Sequence, residues 1–430
     1  MRYLPINKSF FIKNREAFSS KLKKGGIAIF LSHDIYPTNA DGTFPFRQNN
    51  DLFYLTGIDQ EDSVLVLFPE ASEEKHKVLL FIKETNEHIA IWEGAKLTKS
   101  EARGLSGIET VYWEKDFEKI VHTLILESQC IYLNANEHGR AEKTVQTRED
   151  RYTLSIKQNY PLHQLERTSP ILHELRTIKT AEEIEQVSRA CKITGDAFQR
   201  VLKFTKPGVY EFEIEAEITH EFLRQRSSGP AYASIIASGK DACVLHYVSN
   251  DKKCEDGALI LMDFGSAYGN YASDITRTIP VNGKFTPRQK EVYQSVLTIL
   301  KRSTELLKPG NTFEAYQKSV VQFVEEELIK LKLLDQDEVK KQHPDQPLYR
   351  KYFMHGISHF LGLDVHDVGN RKGEMKAGML LTCEPGIYIK EEGIGIRLEN
   401  DILITPEGPQ NLTEFIPIEP EEIEALMNQS

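Results

Sequence analysis

The sequence has no long apolar segment. Its longest apolar runs, at 63–68 and 258–262, are far short of the roughly 20 residues that cross a bilayer as a helix. Residues 1–13 mix charged and aromatic side chains and contain neither a continuous apolar core nor a small-residue cleavage site, so we expect no signal peptide. These absences predict a protein without a membrane partner.

Cysteines are few and scattered along the chain. They are odd in number, form no CxxC pair, and lie at Cys130, Cys191, Cys243, Cys254 and Cys383. This pattern argues against a disulfide framework and against a thiolate zinc site. It favours a reducing compartment, so the sequence predicts a cytoplasmic location.

Basic residues are fewer than acidic residues. The chain has 53 basic and 64 acidic residues, a formal net charge of −11 and a pI near 5.7. No basic stripe is available to neutralise a phosphate backbone, so we expect no nucleic-acid partner. The remaining composition, 40% hydrophobic and 27% charged, is typical of a soluble globular protein, and 430 residues predict two or three domains.

The first third of the chain has the pattern of an α/β domain. A helical stretch near 15–22 precedes apolar runs with strand character at 26–31, 63–68, 77–82, 89–92 and 130–133. We place a boundary within 161–170. The chain is thereby divided into an N-terminal α/β domain over 1–165 and a second domain over 166–430.

The second domain opens with well-marked helices. Thr180 and Glu183 form a capping box for one helix, and Thr286 and Gln289 form another around Pro287. A third helix is predicted at about 312–334, followed by a polar, irregular surface segment over 335–349. Residues 355–405 are rich in glycine and β-branched residues, which predicts strands joined by turns.

Two aspartates lie on the two strands of a hairpin predicted over 259–279. A turn centred on Tyr268-Gly269 would set Asp263 directly opposite Asp274. Carboxylates about 5 Å apart on one face repel each other unless a cation lies between them. The alternative is a pair of turn-capping aspartates on solvated strands.

Two glutamates repeat this arrangement downstream. A turn centred on Glu391-Glu392 would set Glu384 opposite Glu399, and Glu384 follows an apolar run that predicts burial. A buried glutamate needs a partner, which could be Arg397 or a metal ion. Arg397 alone cannot serve four carboxylates.

Three histidines lie within twelve positions, at His355, His359 and His366, and His246 is a fourth candidate. Gly356 and Gly362 argue against a helix here, so this is not a zinc-binding HExxH helix. Each histidine alone would be a core or turn residue.

Four carboxylates with one or two imidazoles form an oxygen-rich ligand set that suits paired divalent ions such as Mn²⁺, with Fe²⁺, Co²⁺ or Zn²⁺ as alternatives. The residues therefore indicate metal-assisted hydrolysis or a related two-metal reaction.

The order of these residues resembles the pita-bread metallopeptidases, which include methionine aminopeptidase, prolidase and aminopeptidase P. The matching elements are Asp263, Asp274 eleven residues on, HGISHFLGLDVHD, EPGIY, and the glutamate after GIR, within about 170–417. The stretch PFRQNNDLFYLTG at 45–57 resembles the N-terminal domain of aminopeptidase P. The resemblance implies a creatinase/aminopeptidase P-like α/β domain followed by an α+β pita-bread catalytic domain.

The resemblance also implies residue roles. One metal ion would be held by Asp263, Asp274 and Glu399, and the other by Asp274, His359, Glu384 and Glu399. Glu384 would carry a proton from water to the leaving nitrogen, while His246 and His366 would hold the substrate carbonyl and stabilise the oxyanion. His355, Tyr388 and Arg397 would line the proline pocket or support the ligands.

Within the family, the resemblance favours an Xaa-Pro aminopeptidase, whose substrates are peptides with proline second. The large N-terminal domain argues against methionine aminopeptidase, and the intact ligand set argues against creatinase and the histone-chaperone relatives. The alternatives are an Xaa-Pro dipeptidase (prolidase) and a non-catalytic peptide-binding module. The family further implies a homo-oligomer, dimer or tetramer, whose N-terminal domain supplies contacts between copies and narrows the mouth of the site.

Overall fold

The computed structural model describes residues 2–429, which form two compact units. The first unit comprises Tyr3–Arg176, and the second begins at Thr177. The division lies eleven residues beyond the limit drawn from the sequence at 165. Residues up to Arg176 belong to the first unit because a strand at Gln164–Arg167 pairs with one at Cys130–Leu133, and because Arg176 forms a 2.7 Å ion pair with Asp51.

The first unit is an α/β domain built on a mixed sheet. Its strands are β1 (Gly26–Leu31), β2 (Pro37–Asn39), β3 (Gly42–Thr43), β4 (Val64–Leu67), β5 (Val78–Ile82), β6 (Thr110–Trp113), β7 (Cys130–Leu133) and β8 (Gln164–Arg167). The helices are α1 (Lys8–Ser19), α2 (Asn50–Thr56), α3 (Glu87–Glu93), α4 (Lys99–Ser106), α5 (Phe117–Glu127), α6 (Arg148–Asn159) and α7 (Ser169–Thr177), with 3₁₀ turns at Glu74–His76 and Glu114–Asp116. The sheet order is β6-β5-β4-β1-β7-β8, and β2 and β3 form a separate hairpin.

Most strand predictions for this unit are confirmed. The apolar runs at 26–31, 63–68, 77–82 and 130–133 all contain buried strands of the central sheet. The strand predicted at 89–92 is wrong, because this run lies in α3, whose N-cap Asn86 accepts a hydrogen bond from Ile89 N. Helix α1 begins earlier than predicted because Asn7 caps it. Local apolar character is shared by short strands and short helices, so periodicity alone could not separate them.

The second unit is an α+β domain. Its helices are α8 (Ala181–Phe204), α9 (Glu211–Arg224), α10 (Pro287–Thr304), α11 (Phe313–Lys330), α12 (Gln336–Lys341) and α13 (Pro420–Met427), with 3₁₀ turns at Gly239–Cys243 and Leu348–Lys351. Its strands are β9 (Gly229–Pro230), β10 (Ile235–Ser238), β11 (Leu259–Phe264), β12 (Ser266–Tyr268), β13 (Tyr271–Ala272), β14 (Ile275–Pro280), β15 (Leu380–Cys383), β16 (Gly386–Ile389), β17 (Ile394–Arg397), β18 (Asn400–Thr405) and β19 (Gly408–Asn411). They form the small antiparallel sheets β10-β11-β14, β13-β12-β9, β15-β18-β19 and β16-β17.

The predicted helix starts in this unit are confirmed. Thr180 with Glu183 caps α8, and Thr286 with Gln289 caps α10, each by a reciprocal pair of hydrogen bonds. Helix α11 ends at Lys330, and the polar segment after it is not wholly irregular, because Asp335 caps the short helix α12. None of the α12 residues is buried, so this helix lies on the surface.

Across residues 2–429, no helix combines the length and the apolar character that a membrane crossing would need.

Candidate metal centre

The two aspartates of the first hairpin are close, but not directly opposite each other. Strands β11 and β14 pair with Asp263 opposite Thr276, two residues from the predicted register. The turn is centred on Gly269-Asn270, where both residues have positive φ, at 58° and 64°. Such a turn needs residues that tolerate positive φ at both central positions, which Gly269-Asn270 satisfies and Tyr268-Gly269 does not. Because side chains alternate with a period of two, the shift does not move Asp263 to the other face.

A close backbone approach at Gly265 brings the two aspartate-bearing segments together. A Cβ atom at this position would lie 1.8 Å from the carbonyl oxygen of Ser273. Gly265 separates β11 from β12, and Ser273 immediately precedes Asp274. Glycine is therefore required for the two chains to pass at this distance.

The two glutamates lie opposite each other as predicted. Strands β16 and β17 pair Ile389 with Ile394, which centres their turn on Glu391-Glu392. Strands β15 and β18 keep the same register, with Cys383 opposite Asn400. Glu384 and Glu399 therefore face each other in the gap between the two ladders.

His359 turns one ring nitrogen toward the carboxylates. The segment from His355 to His366 contains no helix, as predicted, but it is irregular, and the strands predicted over 355–405 begin only at Leu380. The Nδ1 atom of His359 lies 2.9 Å from the carbonyl oxygen of Phe360, which can only accept, so Nδ1 carries the proton. Its Nε2 atom lies 3.4 Å from Asp274 Oδ2 and 3.8 Å from Glu384 Oε1. This is the orientation that a metal-binding imidazole requires.

These contacts bring all five predicted ligand residues together. Donor atoms of Asp274, His359 and Glu399, which are all buried, lie within 4.8 Å of one another. Glu384 adjoins this group through His359, and Asp263 adjoins it through Tyr232, whose hydroxyl contacts both aspartates.

Burial dominates the electrostatics of this cluster. It raises the pKa of Asp263 and of Glu399, and it raises the pKa of Glu384 to about 7. Burial opposes protonation of His359, but the hydrogen bond to Asp274 and the charge of Glu384 outweigh it and raise that pKa to about 9. A divalent cation among these three acids would offset the burial and mutual repulsion that disfavour their ionised forms.

The contacts of the Tyr232 hydroxyl indicate whether a cation fits between Asp263 and Asp274. The hydroxyl lies 2.7 Å from Asp263 Oδ1 and 2.5 Å from Asp274 Oδ1, yet it carries one proton. Burial and the two aspartates raise the pKa of Tyr232, so it remains a donor, but it can donate to only one of them. The contact between the hydroxyl oxygen and the other aspartate then needs a further proton or a cation to be stable. The donors are oxygens with one imidazole nitrogen, so the residues fit hard divalent ions.

Arg397 connects the cluster to the other predicted site residues. Its Nη2 donates to Asp263 Oδ2 at 2.6 Å, and its Nη1 donates to the hydroxyl of Tyr388 at 2.9 Å. The same hydroxyl lies 2.8 Å from Nε2 of His355. Burial and the neighbouring guanidinium lower the pKa of His355 to about 4, so this imidazole is neutral.

The other two predicted histidines are exposed. The ring of His366 stands edge-on to that of His359, with centroids 4.4 Å apart. His246 lies in the irregular stretch after Gly239–Cys243. The structure thus places His366 beside His359, and it places His246 next to Tyr247, which packs in one apolar cluster with Tyr388.

Four residues that support the cluster were not predicted: Tyr232, Thr276, Arg277 and Asp401. Thr276 Oγ1 donates to Glu399 Oε2 at 2.7 Å, and the fully buried Arg277 donates to the carbonyl oxygen of Glu399 at 2.5 Å. Asp401 Oδ2 accepts the backbone N–H of Asp274 at 3.1 Å. Arg277 carried a usable signal, since it is a charged residue between apolar Ile275 and Ile279 on one face of β14. Tyr232 carried none.

Comparison with known proteins identifies the family of both domains. A model of metallopeptidase family M24 matches residues 185–406, and a model of the aminopeptidase P N-terminal domain matches residues 11–132. The Xaa-Pro aminopeptidase of Escherichia coli (strain K12) is 37% identical over 438 aligned positions that cover 98% of each chain.

Solved structures extend the similarity to the whole fold. A zinc-substituted aminopeptidase P from E. coli, in complex with product, has a TM-score of 0.87 at 36% identity and covers 99% of each chain. Proline aminopeptidase P II from Yersinia pestis has a TM-score of 0.87 at 34% identity, with 99% of this chain and 100% of that chain covered. The expected α/β N-terminal domain and pita-bread catalytic domain are thereby confirmed. The chain is a hydrolase that belongs to metallopeptidase family M24, in its aminopeptidase P branch.

Proposed function

We propose that this protein hydrolyses the peptide bond between an N-terminal residue and a following proline, with two divalent metal ions, most simply Mn²⁺. The observation that carries the proposal is the convergence of four carboxylates and one imidazole at one buried place beside Arg397. The full-length similarity to proteins named Xaa-Pro aminopeptidase supports the choice of substrate.

The five donors divide between the two ions by their positions in the motif. Asp263, Asp274 and Glu399 would hold one ion, and Asp274, His359, Glu384 and Glu399 would hold the other. Bound ions of this kind polarise a carbonyl and lower the pKa of water. Arg397 and Thr276 orient Asp263 and Glu399 through the hydrogen bonds described above.

Glu384 is the proposed proton carrier. A carboxylate in this position can take a proton from the attacking water and return it to the leaving group. The proline nitrogen leaves as a secondary amine and must be protonated as the bond breaks. Glu384 Oε2 lies 3.7 Å from the neutral imidazole of His355, and Oε1 lies 3.8 Å from Nε2 of His359.

The histidines are assigned to the substrate. His246 and His366 would donate hydrogen bonds to the substrate carbonyl and stabilise negative charge on its oxygen. Both are exposed, which leaves their rings accessible to a peptide. His355, Tyr388 and Arg397 form a hydrogen-bonded chain next to Asp263 and would line the proline pocket.

Hydrolysis assays separate the proposal from its alternatives. Chelator-stripped protein is offered matched Xaa-Pro and Xaa-Pro-Xaa-Xaa peptides with Mn²⁺ restored or withheld. Mn²⁺-dependent release of the first residue from the longer peptide is the expected result. Cleavage of the dipeptide alone would indicate a prolidase. No cleavage with any divalent metal, together with peptide binding that survives Asp263→Ala, would indicate a non-catalytic binding module.

The oligomeric state and location remain predictions. We propose a homo-oligomer, a dimer or a tetramer, in which the N-terminal domain supplies contacts between copies. Light scattering coupled to size exclusion would give its mass, and a monomer at micromolar concentration would contradict it. The cytoplasmic location and the absence of a nucleic-acid partner rest on the sequence alone.

A further inference from the structure

The carboxylate of Glu211 is fully buried and accepts four hydrogen bonds. Its Oε1 accepts from the backbone N–H of Ser238 at 2.8 Å and from the Ser238 hydroxyl at 2.7 Å. Its Oε2 accepts from the Tyr247 hydroxyl at 2.8 Å and from the backbone N–H of Lys252 at 2.9 Å. All four donors are uncharged. Burying a carboxylate is costly, and here the cost is offset by hydrogen bonds to one stretch of chain.

That stretch is the segment that carries His246. The chain leaves β10 at Ser238 and passes through the 3₁₀ turn and an irregular stretch before Lys252. Glu211 therefore holds the segment where it leaves β10, at Tyr247 next to His246, and at Lys252, ahead of the start of β11 at Leu259. Val244, His246 and Val248 are exposed. Tyr247 is buried in an apolar cluster with Leu261 and Tyr388, so the hydrogen bond from its hydroxyl to Glu211 adds direction to packing that already holds this residue.

Asn250 provides a second attachment to the same face of α9. Its Oδ1 accepts from the backbone N–H of Ile236 at 3.0 Å, and its Nδ2 donates to Glu215 at 2.9 Å. Glu211 and Glu215 are one helical turn apart, so they lie on one side of α9. The backbone of Asn250 has a φ of 47°, a left-handed conformation that asparagine tolerates better than most residues.

We infer that Glu211 is a positioning residue, which fixes the location of His246 relative to the metal centre without touching the substrate. The inference rests on the role proposed above for His246. A side chain that must meet a developing oxyanion has to be placed to within a fraction of an ångström. The hydrogen bonds of Glu211 supply that placement at the residue adjacent to His246.

A purely structural role for Glu211 is the alternative that a test must separate. Strand β10 also pairs with β11 and places Ile235 opposite Asp263. Loss of Glu211 could therefore disturb the metal-binding residues instead of His246. Metal content and the dependence of the effect on His246 distinguish the two.

The test compares Glu211→Gln in the wild-type and His246→Ala backgrounds. The amide of glutamine points a donor at groups that are themselves donors, so the segment should loosen. We expect kcat/KM for an Xaa-Pro tripeptide to fall roughly ten- to a hundredfold in the wild-type background and less than about twofold in His246→Ala. Bound Mn²⁺ should be unchanged. Glu213→Gln is the control, because Glu213 caps the same helix turn and accepts a hydrogen bond from Tyr210 N.

Equal losses in both backgrounds, or loss of Mn²⁺ from Glu211→Gln, would overturn the inference. Tyr247→Phe, which removes one donor, serves if Glu211→Gln does not fold, and the same background dependence is expected. If the wild-type protein cleaves no peptide, the proposed function fails. Hydrogen exchange then still decides the inference: Glu211→Gln must speed exchange in a peptide covering 244–250, and Glu213→Gln must not.

Discussion

The guanidinium of Arg397 donates to Oδ2 of Asp263 across 2.6 Å, and both side chains are largely buried. This ion pair brings one permanent positive charge to a place where four carboxylates meet. It also holds Asp263 beside the group formed by Asp274, His359 and Glu399. The remaining negative charge is balanced either by protons or by bound cations, and this choice underlies the predictions below.

Removing Arg397 should destabilise the metal-stripped protein. Arg397→Met leaves Asp263 buried without its partner, and breaking a buried ion pair in this way lowers the free energy of unfolding by about 3–5 kcal/mol. Urea unfolding of chelator-stripped protein measures the change. The control is Arg288→Met, because Arg288 pairs with Glu392 at the surface and should cost less than about 1 kcal/mol. Equal losses for the two variants would contradict the prediction.

The metal-free protein should lose stability as the pH rises. Burial raises the pKa of Glu384 from 4.5 to about 7, so the folded state binds more protons than the unfolded state between these values, and stability falls across them. His359 has its pKa raised from 6.5 to about 9, so its stabilising contribution is complete below pH 6.5 and is lost by about pH 9. Both changes have the same sign.

Urea unfolding at pH 5, 7 and 9 tests this pH dependence. We expect the free energy of unfolding of the stripped protein to drop by at least about 1 kcal/mol over this range. Added Mn²⁺ should stabilise more strongly at high pH, because its ligands must release protons to bind. A flat or rising profile for the stripped protein would show that these carboxyl groups are not held protonated.

Replacing Glu384 with glutamine should separate binding from chemistry. The amide keeps the size of the side chain but cannot carry a proton. We expect kcat to fall roughly 10²- to 10⁴-fold while the peptide still binds, as measured by calorimetry. Glu392→Gln, at an exposed position on the neighbouring turn, should leave kcat unchanged. Activity of Glu384→Gln within about threefold of wild type would assign the proton transfer to another group.

Gly265→Ala should damage the metal centre through the backbone. The added Cβ would meet the Ser273 carbonyl at 1.8 Å, so the segments carrying Asp263 and Asp274 must separate. We expect a loss of about 1–3 kcal/mol in stability and weaker Mn²⁺ binding by calorimetry. Gly139→Ala is the control, since a Cβ there meets no atom within 4 Å. Unaltered Mn²⁺ affinity in Gly265→Ala would show that the site tolerates the displacement.

The sequence by itself determined the features that depend on local chemistry. Thr180 and Thr286 begin helices because their hydroxyls cap backbone N–H groups three residues away. The position of the turn at Glu391-Glu392 determined that Glu384 and Glu399 face each other, because hairpin pairing propagates from its turn. The order and types of the predicted metal-binding residues could likewise be recognised in the sequence, because so many acidic residues close to histidines are typical of a metal site.

Tertiary structure decided what depends on residues distant in the chain. Whether 89–92 became a strand depended on a partner strand, and without one it became part of α3. The hydrogen-bond partners of Tyr232 and Arg277 lie 31 to 122 residues away in the sequence. Those of Glu211 lie 27 to 41 residues away. Apart from the charge of Arg277 within an apolar strand, these contacts leave no periodic or local trace in a single sequence. They form only when the folded backbone brings the groups within hydrogen-bonding distance. Burial then raises the energetic cost of losing any one of these hydrogen bonds.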